Sequence, residues 1–310
     1  MALPDAVTLA HRSALRSIAR VVEETGTHSD PDVALHSVAS QLRRGGVLVI
    51  TGAGVSTDSG IPDYRGPQGS LGRHQPMTYQ EFRHDPAASH RYWARSFVGW
   101  REMASARPNA THYAIAELED AGPVSGVVTQ NVDGLHAAAG SRNLLTLHGD
   151  LARVICLECG HTEDRRLFDA RLEAANPGYL KEIRLDPTQV NPDGDVTLDA
   201  AHVEKFRMVG CEVCGSVLLK PDVVYFGEPV PVSRRKRAAE MVEEASSVLV
   251  AGSSLAVMSG YRLVLDARQQ GKQVSVINGG PGRADAKVDV LWQTSVAPAF
   301  LDLLDELGLE

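Results

Sequence analysis

Short, mainly apolar runs recur along the chain at residues 47–50, 126–129, 144–147, 223–226, 247–251 and 273–277, the first of them without a polar break, and glycine or polar residues follow each. Runs of this length without polar alternation read as strands buried on both faces. Between them, apolar residues fall at helical spacing over 5–24, 31–44, 109–121, 233–245, 260–270 and 297–307. The second of these faces inward through Val33, Leu35, Val38 and Leu42 and stops at Gly45 and Gly46. The third does so through Ala114, Ile115 and Leu118 and closes at Gly122 and Pro123. Strands alternating with helices imply right-handed crossovers and a mostly parallel sheet, an α/β fold.

Two stretches depart from that alternation. Residues 79–103 carry Tyr79, Phe82, Tyr92, Trp93, Phe97 and Trp100. An aromatic stripe on helices is expected to be core, with a minority facing a pocket. Residues 160–210 hold Pro177, Pro187, Pro192 and a turn from Asn191 to Asp195, with only short apolar patches, and are expected to form an elaborated loop.

A chain of 310 residues with 43% hydrophobic content has room for one large core and a smaller module. Its net charge of -8 argues against non-specific binding to nucleic acid or to an acidic membrane, which want a basic face; a basic peptide is the more natural partner. No apolar run approaches the roughly 20 residues of a membrane span, and the N-terminus lacks the apolar core of a secretion signal, so a cytoplasmic protein is expected. Arg12, Arg16 and Arg20 stand at the spacing of a targeting helix, but Asp5, Glu23 and Glu24 are out of keeping with one, and an ordinary surface helix is expected.

The four cysteines form two Cys-x-x-Cys pairs, Cys156 with Cys159 and Cys211 with Cys214, followed by Gly160 and Gly215. Two such pairs with no cysteine left over point to one tetrahedral zinc, a disulfide or redox pair being the alternative. Four sulfur ligands leave no position for water, so this metal holds structure.

The other candidate chemistry gathers where strands end. Gly52, Gly54 and Gly60 follow the first apolar run, with Thr57 where a dinucleotide fingerprint has its third glycine. Gly52 and Gly54 would let the backbone approach a pyrophosphate, with N–H groups of the turn facing its oxygens. Asp58, Ser59, Asp63, Tyr64 and Arg65 then crowd reactive groups into one loop. The second run delivers Gln130, Asn131, Val132, Asp133 and His136, and the third delivers His148 and Gly149. Ligands of open α/β sheets bind beyond the carboxyl ends of the strands, so these three ends are expected to face one crevice.

Three stretches in this order resemble one family, the sirtuins: Gly52 to Ser56 with Gly60 to Arg65; Thr129 to Asp133 with Leu147, His148 and Gly149; and the paired cysteines followed by Lys220 to Glu228 and Gly252 to Ser254. The resemblance covers roughly residues 35–308. Within the family, residues 91–100, the long stretch between the cysteine pairs, and Ser259 to Arg262 resemble the class II branch. The resemblance implies an NAD-dependent protein deacylase, acting on acylated lysine. It further implies a Rossmann-like large domain (31–65, 109–150 and 216–310), a zinc-binding module (151–215), a helical insertion (66–108) and an N-terminal helical extension (1–30). Oligomeric state stays open.

By the same resemblance Gly52, Ala53, Gly54, Ser56, Thr57, Asp63, Tyr64 and Arg65 belong to a mobile cofactor loop. Ile61, Asn131, Val132 and Asp133 would form the nicotinamide pocket, and Gln130 would hold the ribose. Gly252, Ser253, Ser254, Asn278, Gly279, Gly280 and Val296 would contact the pyrophosphate and adenosine end. Val223, Val224, Tyr225, Phe226, Gly227 and Glu228, with the segment from Leu255 to Met258, would offer edges between which a substrate peptide adds as a strand. Catalysis falls to His148, Asn131, Asp133 and Arg65: the acyl oxygen attacks the ribose, nicotinamide leaves, and His148 acts as general base for the ribose hydroxyls. His136 is expected to be structural, and Asp133 has the alternative of only ordering its loop. Two other functions stay open, mono-ADP-ribosyl transfer and a non-catalytic NAD-sensing module. Tyr92 and Arg95 share the Tyr-x-x-Arg spacing with which class III sirtuins grip acidic acyl groups. Counted from Pro108 and Asn109 they sit a helical turn too early, so a helix-surface role is expected for them.

Overall fold

The computed structural model describes residues 5–67, 69–184 and 191–309; Pro187 lies outside them. The chain begins with α1 (Asp5–Ile18), which ends well short of residue 24, and α2 (Pro31–Arg43). Asp30 caps α2, its Oδ1 accepting from the N–H groups of Asp32 (3.1 Å) and Val33 (3.3 Å), with Pro31 in the first turn. There follow β1 (Val47–Thr51), α3 (Tyr79–His84), α4 (Pro86–Ser105), α5 (Ala110–Asp120), β2 (Val124–Thr129), α6 (Leu135–Ala139) and β3 (Leu144–Thr146). Next come β4 (Gly149–Cys156), β5 (Thr162–Asp164), α7 (Arg165–Ala175), α8 (Ala200–Lys205) and β6 (Leu219–Val223). The chain closes with α9 (Val232–Glu244), β7 (Ser247–Ala251), α10 (Met258–Gln269), β8 (Val274–Asn278), β9 (Val290–Gln293) and α11 (Val296–Leu307). No helix among the described residues is long and apolar enough to cross a membrane.

Among the described residues six strands form one sheet, in the order β3-β2-β1-β7-β8-β9, and every pairing in it is parallel. Helices cover both faces, which is why β1 needs no polar alternation. Val47 and Val49 pack with residues of α2, α5 and α11, whereas Leu48 and Ile50 pack with residues of α9 and α10. On α2 the inward stripe is Ala34, Val38, Ala39 and Leu42, and Val33 is exposed, so the buried face lies one position round from the predicted one. Gln41 is buried because its amide joins two strands: Nε2 donates to Ser247 Oγ and to the Val248 carbonyl (both 3.0 Å), and Oε1 accepts from Ser275 Oγ (2.6 Å).

The apolar run at 223–226 was expected in this sheet, and it is not there. The strand is β6, which starts four residues earlier and shares only Val223 with that run, and it pairs antiparallel with β4 in a separate three-stranded sheet, β5-β4-β6. The cysteines explain the exchange, since Cys156 closes β4 and Cys214 stands just before β6, so holding the two pairs together lays these strands side by side. Residues 160–210 are likewise more than a loop. They include β5, α7 and α8, with Phe168 and Leu172 of α7 fully buried. The aromatic stripe forms the core of this second body: Phe82, Tyr92, Trp93 and Phe97 are each at most 1% exposed. Arg165 is buried among them, its guanidinium 5.0 Å from the Trp93 ring and 4.9 Å from the Trp100 ring while Nη2 donates to the Ser96 carbonyl (3.1 Å).

The sulfur atoms of Cys156 and Cys214 lie 3.6 Å apart and those of Cys159 and Cys211 3.7 Å, with all four within 4.8 Å of one another. A disulfide needs about 2.05 Å. A tetrahedron of zinc–sulfur bonds of about 2.3 Å has edges of about 3.8 Å, so the set fits one zinc. The two halves are alike: Cys156 N–H donates to the His161 carbonyl and Cys211 N–H to that of Ser216, both at 2.8 Å, around Gly160 and Gly215, each at φ +74°. One zinc per chain is expected by metal analysis, and chelation or Cys156→Ala should expose Trp93 and Trp100 to a fluorescence quencher. Metal-free protein with unchanged quenching would assign the fold of the small sheet to its aromatic core alone.

His136 on α6 and His112 on α5 meet edge to face, ring centroids 4.8 Å apart, and both are almost fully buried. His112 Nδ1 accepts from the Asn109 N–H at the start of its helix (3.3 Å), and His136 Nε2 shares a 2.9 Å hydrogen bond with Thr51 Oγ1. Burial lowers the pKa of His112 to about 4, and burial with the neighbouring His112 lowers that of His136 to about 3. Both pKa values lie below the unfolded value near 6.5, so their neutral packing is fully stabilising above about pH 6.5 and is lost as the pH falls toward 4. Each should contribute a slope of about 1.4 kcal/mol per pH unit in that window, read from urea unfolding at pH 7, 6 and 5. His136→Asn should flatten the slope, and an unchanged slope would overturn the assignment.

Candidate active site

The strand order reverses at β1 and β7, so the chain leaves their carboxyl ends in opposite directions and opens a crevice there. Two turns close the bottom of it. Gly54 N–H donates to the Gly252 carbonyl at 2.9 Å. A Cβ on Gly52 would lie 2.6 Å from Ser253 Cβ, and one on Gly54 would lie 2.9 Å from Gly252 Cα. Both glycines are therefore already required by the contact between the turns, before any phosphate approaches them. Gly252, at φ +58°, would itself bring a Cβ within 2.6 Å of the Val55 nitrogen.

Polar side chains from β2 tie these turns together. Gln130 Nε2 donates to Ser253 Oγ (2.8 Å) and to the Thr51 carbonyl (3.2 Å), joining the ends of β1, β2 and β7. Asn131 Nδ2 donates to the Gly52 carbonyl and to Ser56 Oγ, both at 3.0 Å, and the Ser56 hydroxyl in turn donates a hydrogen bond to Asp133 Oδ2 (2.7 Å). Asp133 Oδ1 accepts the Leu135 N–H (2.9 Å) at the start of α6. Burial raises the Asp133 pKa, and its bonds to Leu135 and Ser56 oppose the rise. Asn109 at the head of α5 buttresses the same loop, its Nδ2 donating to the Val55 carbonyl (2.8 Å) and to Ser59 Oγ (3.0 Å).

His148 follows β3. Its Nδ1 lies 3.0 Å from the Gln130 carbonyl, which can only accept, so Nδ1 carries the proton and Nε2 is the bare nitrogen. Nε2 is 2.7 Å from Ser259 Oγ. Burial lowers the His148 pKa to about 4, the Gln130 carbonyl opposes that shift, and the charge of Arg234 adds to it. The ring is neutral at physiological pH.

The two turns, Gln130, Asn131, Asp133, His148 and Ser259 border one cavity of about 1340 Å³, larger than the roughly 300–1,000 Å³ of an ordinary small-molecule site and so roomy enough for a dinucleotide beside an extended peptide. The residues assigned to cofactor, substrate and catalysis by the resemblance lie on its wall, from Gly52, Ile61 and Tyr64 through His148 and Val223 to Gly280 and Val296, whereas Ser59, Gly60, His136 and Gly149 of the same strand ends do not. Gly280 has open space where a Cβ would stand, and Gly279 nearly so. The four cysteines lie elsewhere, in the small sheet.

Several of these residues are engaged in ways the sequence did not disclose. Arg65 Nη2 donates to the carbonyls of Ser17 (3.1 Å) and Ile18 (3.4 Å), capping the end of α1, and residues 17–22 line the cavity. The extension is thus no ordinary surface helix: Ala14 is buried, and His11 Nδ1 meets Thr78 Oγ1 at 3.1 Å. Asp63 Oδ1 accepts the Gly66 N–H (2.9 Å) within its own turn. Glu228 pairs with the buried Lys220 at 3.2 Å and accepts the Tyr225 N–H, while Phe226 bridges to Thr78. Tyr92 is fully buried in the aromatic core. Arg95 faces inward, pairing with Asp195 at 2.9 Å and donating to His74 Nδ1 at 3.2 Å, so neither has the helix-surface role expected. His74, Asp193 and Asp195 bring three donors within 4.8 Å, but Arg95 supplies the positive charge there and leaves the proton on His74 Nε2, which makes the trio an ion network and not a metal site. In the sequence Ser259 stands out only as the start of the Ser259 to Arg262 stretch; its place in the first helical turn after a strand-end Gly-Ser-Ser is the signal that points to the site.

Residues 52–259 match the Sir2 family. NAD-dependent protein deacetylase 1 of Corynebacterium efficiens is 67% identical over 276 residues, 89% of this chain and 98% of that protein. NAD-dependent protein deacylase Sirt4 of Drosophila melanogaster is 44% identical over 252 residues, 80% of this chain and 79% of that protein. A solved structure described as "Sir2-p53 peptide-NAD+" is similar with a TM-score of 0.69 at 27% identity, covering 88% of this chain and 98% of its own. With its crevice, its histidine and its cysteine tetrad in place, the chain belongs to the Sir2 family.

Proposed function

We infer that the chain is an NAD-dependent protein deacylase that removes acyl groups from lysine side chains, releasing nicotinamide, 2′-O-acyl-ADP-ribose and free lysine. Relatives named NAD-dependent protein deacetylase, at 67% and 52% identity, support the reaction, and the peptide and NAD named for a similar structure support the two substrates. The observation in this chain that carries the reading is the imidazole of His148, fixed in one tautomer with its bare nitrogen on the cavity side. NAD, when bound, supplies an electrophilic ribose carbon and a departing nicotinamide.

In this reading the chain's own residues do the rest. Gln130, Asn131 and Asp133 form a prearranged polar floor, with Ile61 and Val132 giving it apolar walls, and the turns at Gly52–Gly54 and Gly252–Ser254 with Asn278 hold the phosphates and adenosine. His148 takes up the proton of a ribose hydroxyl at Nε2 while the Gln130 carbonyl keeps the ring from turning. Residues 224–228 and Leu255 flank the acylated lysine. Asp133, with both oxygens accepting from its surroundings, orders the loop, and Arg65 serves the cofactor once released from the end of α1.

Incubation with NAD and acyl-lysine peptides should yield nicotinamide and acyl-ADP-ribose; radiolabelled protein instead would show ADP-ribosyl transfer, and no consumption of NAD would overturn the reading. His148→Ala should lower kcat by roughly 10²-fold or more while NAD still binds. Loss of the folded state in that variant would move His148 from catalysis to structure.

A further inference from the structure

Both nitrogens of His148 are occupied. Nδ1–H is committed to the Gln130 carbonyl, and the one in-plane lone pair of Nε2 receives the Ser259 hydroxyl at 2.7 Å. With Nε2 unprotonated, Ser259 is the donor in that bond. While Ser259 stands there, no substrate hydroxyl reaches Nε2 along its lone pair.

The fold makes this contact deliberately close. Between β7 and α10 the chain passes through Leu255 at φ +50°, a conformation rare for a bulky side chain, held by the Leu255 N–H donating to Ser253 Oγ (3.2 Å). That turn delivers Ser259 in the first turn of α10, on the cavity wall. At the next position a Cβ would stand 2.5 Å from Gln130 Oε1, so Gly260 lets the Gln130 amide lie against the helix start. The residue that anchors Nδ1 thus packs beside the one that fills Nε2. The charged group bearing on the ring is Arg234 of α9, itself paired with Asp222 at 2.7 Å.

We propose that Ser259 is the relay through which His148 receives its proton: the substrate hydroxyl gives its proton to Ser259 Oγ as Ser259 gives its own to Nε2. One O–H bond breaks on the substrate and one forms on Ser259, while the former Ser259 O–H breaks and an N–H forms. The electron pair stays on the substrate oxygen, Ser259 ends as a neutral alcohol, and the positive charge rests on the imidazolium. A hydroxyl can do this because it donates once and accepts twice. The proposal rests on the deacylase reading, in which the substrate hydroxyl belongs to the bound ribose.

The test compares the full chain with Ser259→Ala and Ser259→Thr. Ser259→Ala should lower kcat by about 10-fold or more with the KM for NAD and peptide nearly unchanged, and Ser259→Thr should restore most of the rate. Rates in mixtures of light and heavy water should curve for the wild type, with two protons in flight, and become linear for Ser259→Ala. In ligand-free protein, ¹⁵N spectra should show Nε2 as a hydrogen-bonded acceptor in the wild type and an unbonded one in Ser259→Ala, with Nδ1 protonated in both. Wild-type kcat in Ser259→Ala, a Thr variant as slow as the Ala variant, a loss of NAD binding equal to the loss of rate, or an unmoved Nε2 resonance each overturns the relay. A wild type that consumes no NAD would instead overturn the deacylase reading, and the spectra still judge the contact.

Discussion

The structure depends on the close approach of two turns at the point where the strand order reverses. Gly52 and Gly54 touch Gly252 and Ser253 with no room for a side-chain carbon between them, and the Gln130 amide binds both turns to the end of β2. This one contact sets the floor of the cavity, because the residues that line it are those that follow β1, β2 and β7. It also explains why a chain of ordinary composition carries glycine there: the spacing between backbones is below what any Cβ tolerates.

Above that floor the cavity is walled by two bodies with different means of support. The parallel sheet is held by aliphatic burial on both faces. The small sheet rests on aromatic packing, a buried arginine and a sulfur tetrad suited to zinc. The helical extension closes part of the rim and engages Arg65 through main-chain carbonyls. The polar loop after β1 therefore answers to three neighbours at once: the opposite turn, Asn109 at the head of α5, and the end of α1.

Much of this was legible in the sequence because it depends on local pattern. β1, β2, β7 and β8 announce themselves as short, mainly apolar runs, α5 by its apolar spacing and its Gly122-Pro123 stop, and the zinc set by cysteine spacing. What was not legible depends on partners far away in the chain. Nothing in residues 219–226 says whether they join a parallel or an antiparallel sheet; β4 decides that, some seventy positions earlier. Arg95 looks like a surface residue until Asp195 is folded against it, and Val33 looks like a core residue until Ala34 takes the inward place on α2. β9 escaped because four residues give too short a period to read. Ser259 has no chemistry of its own and gains it only from the ring opposite.

His148 is the second of the two residues between β3, in the large sheet, and Gly149, which begins β4 in the small one. Its carbonyl accepts the N–H of Val224, on the segment where the chain travels back, at 2.7 Å. The base is thus seated at a seam, stitched to the return crossing. When one half of a jaw swings against the other, material next to the hinge travels least. By that reasoning the imidazole sits where any relative movement of the two sheets would displace it least.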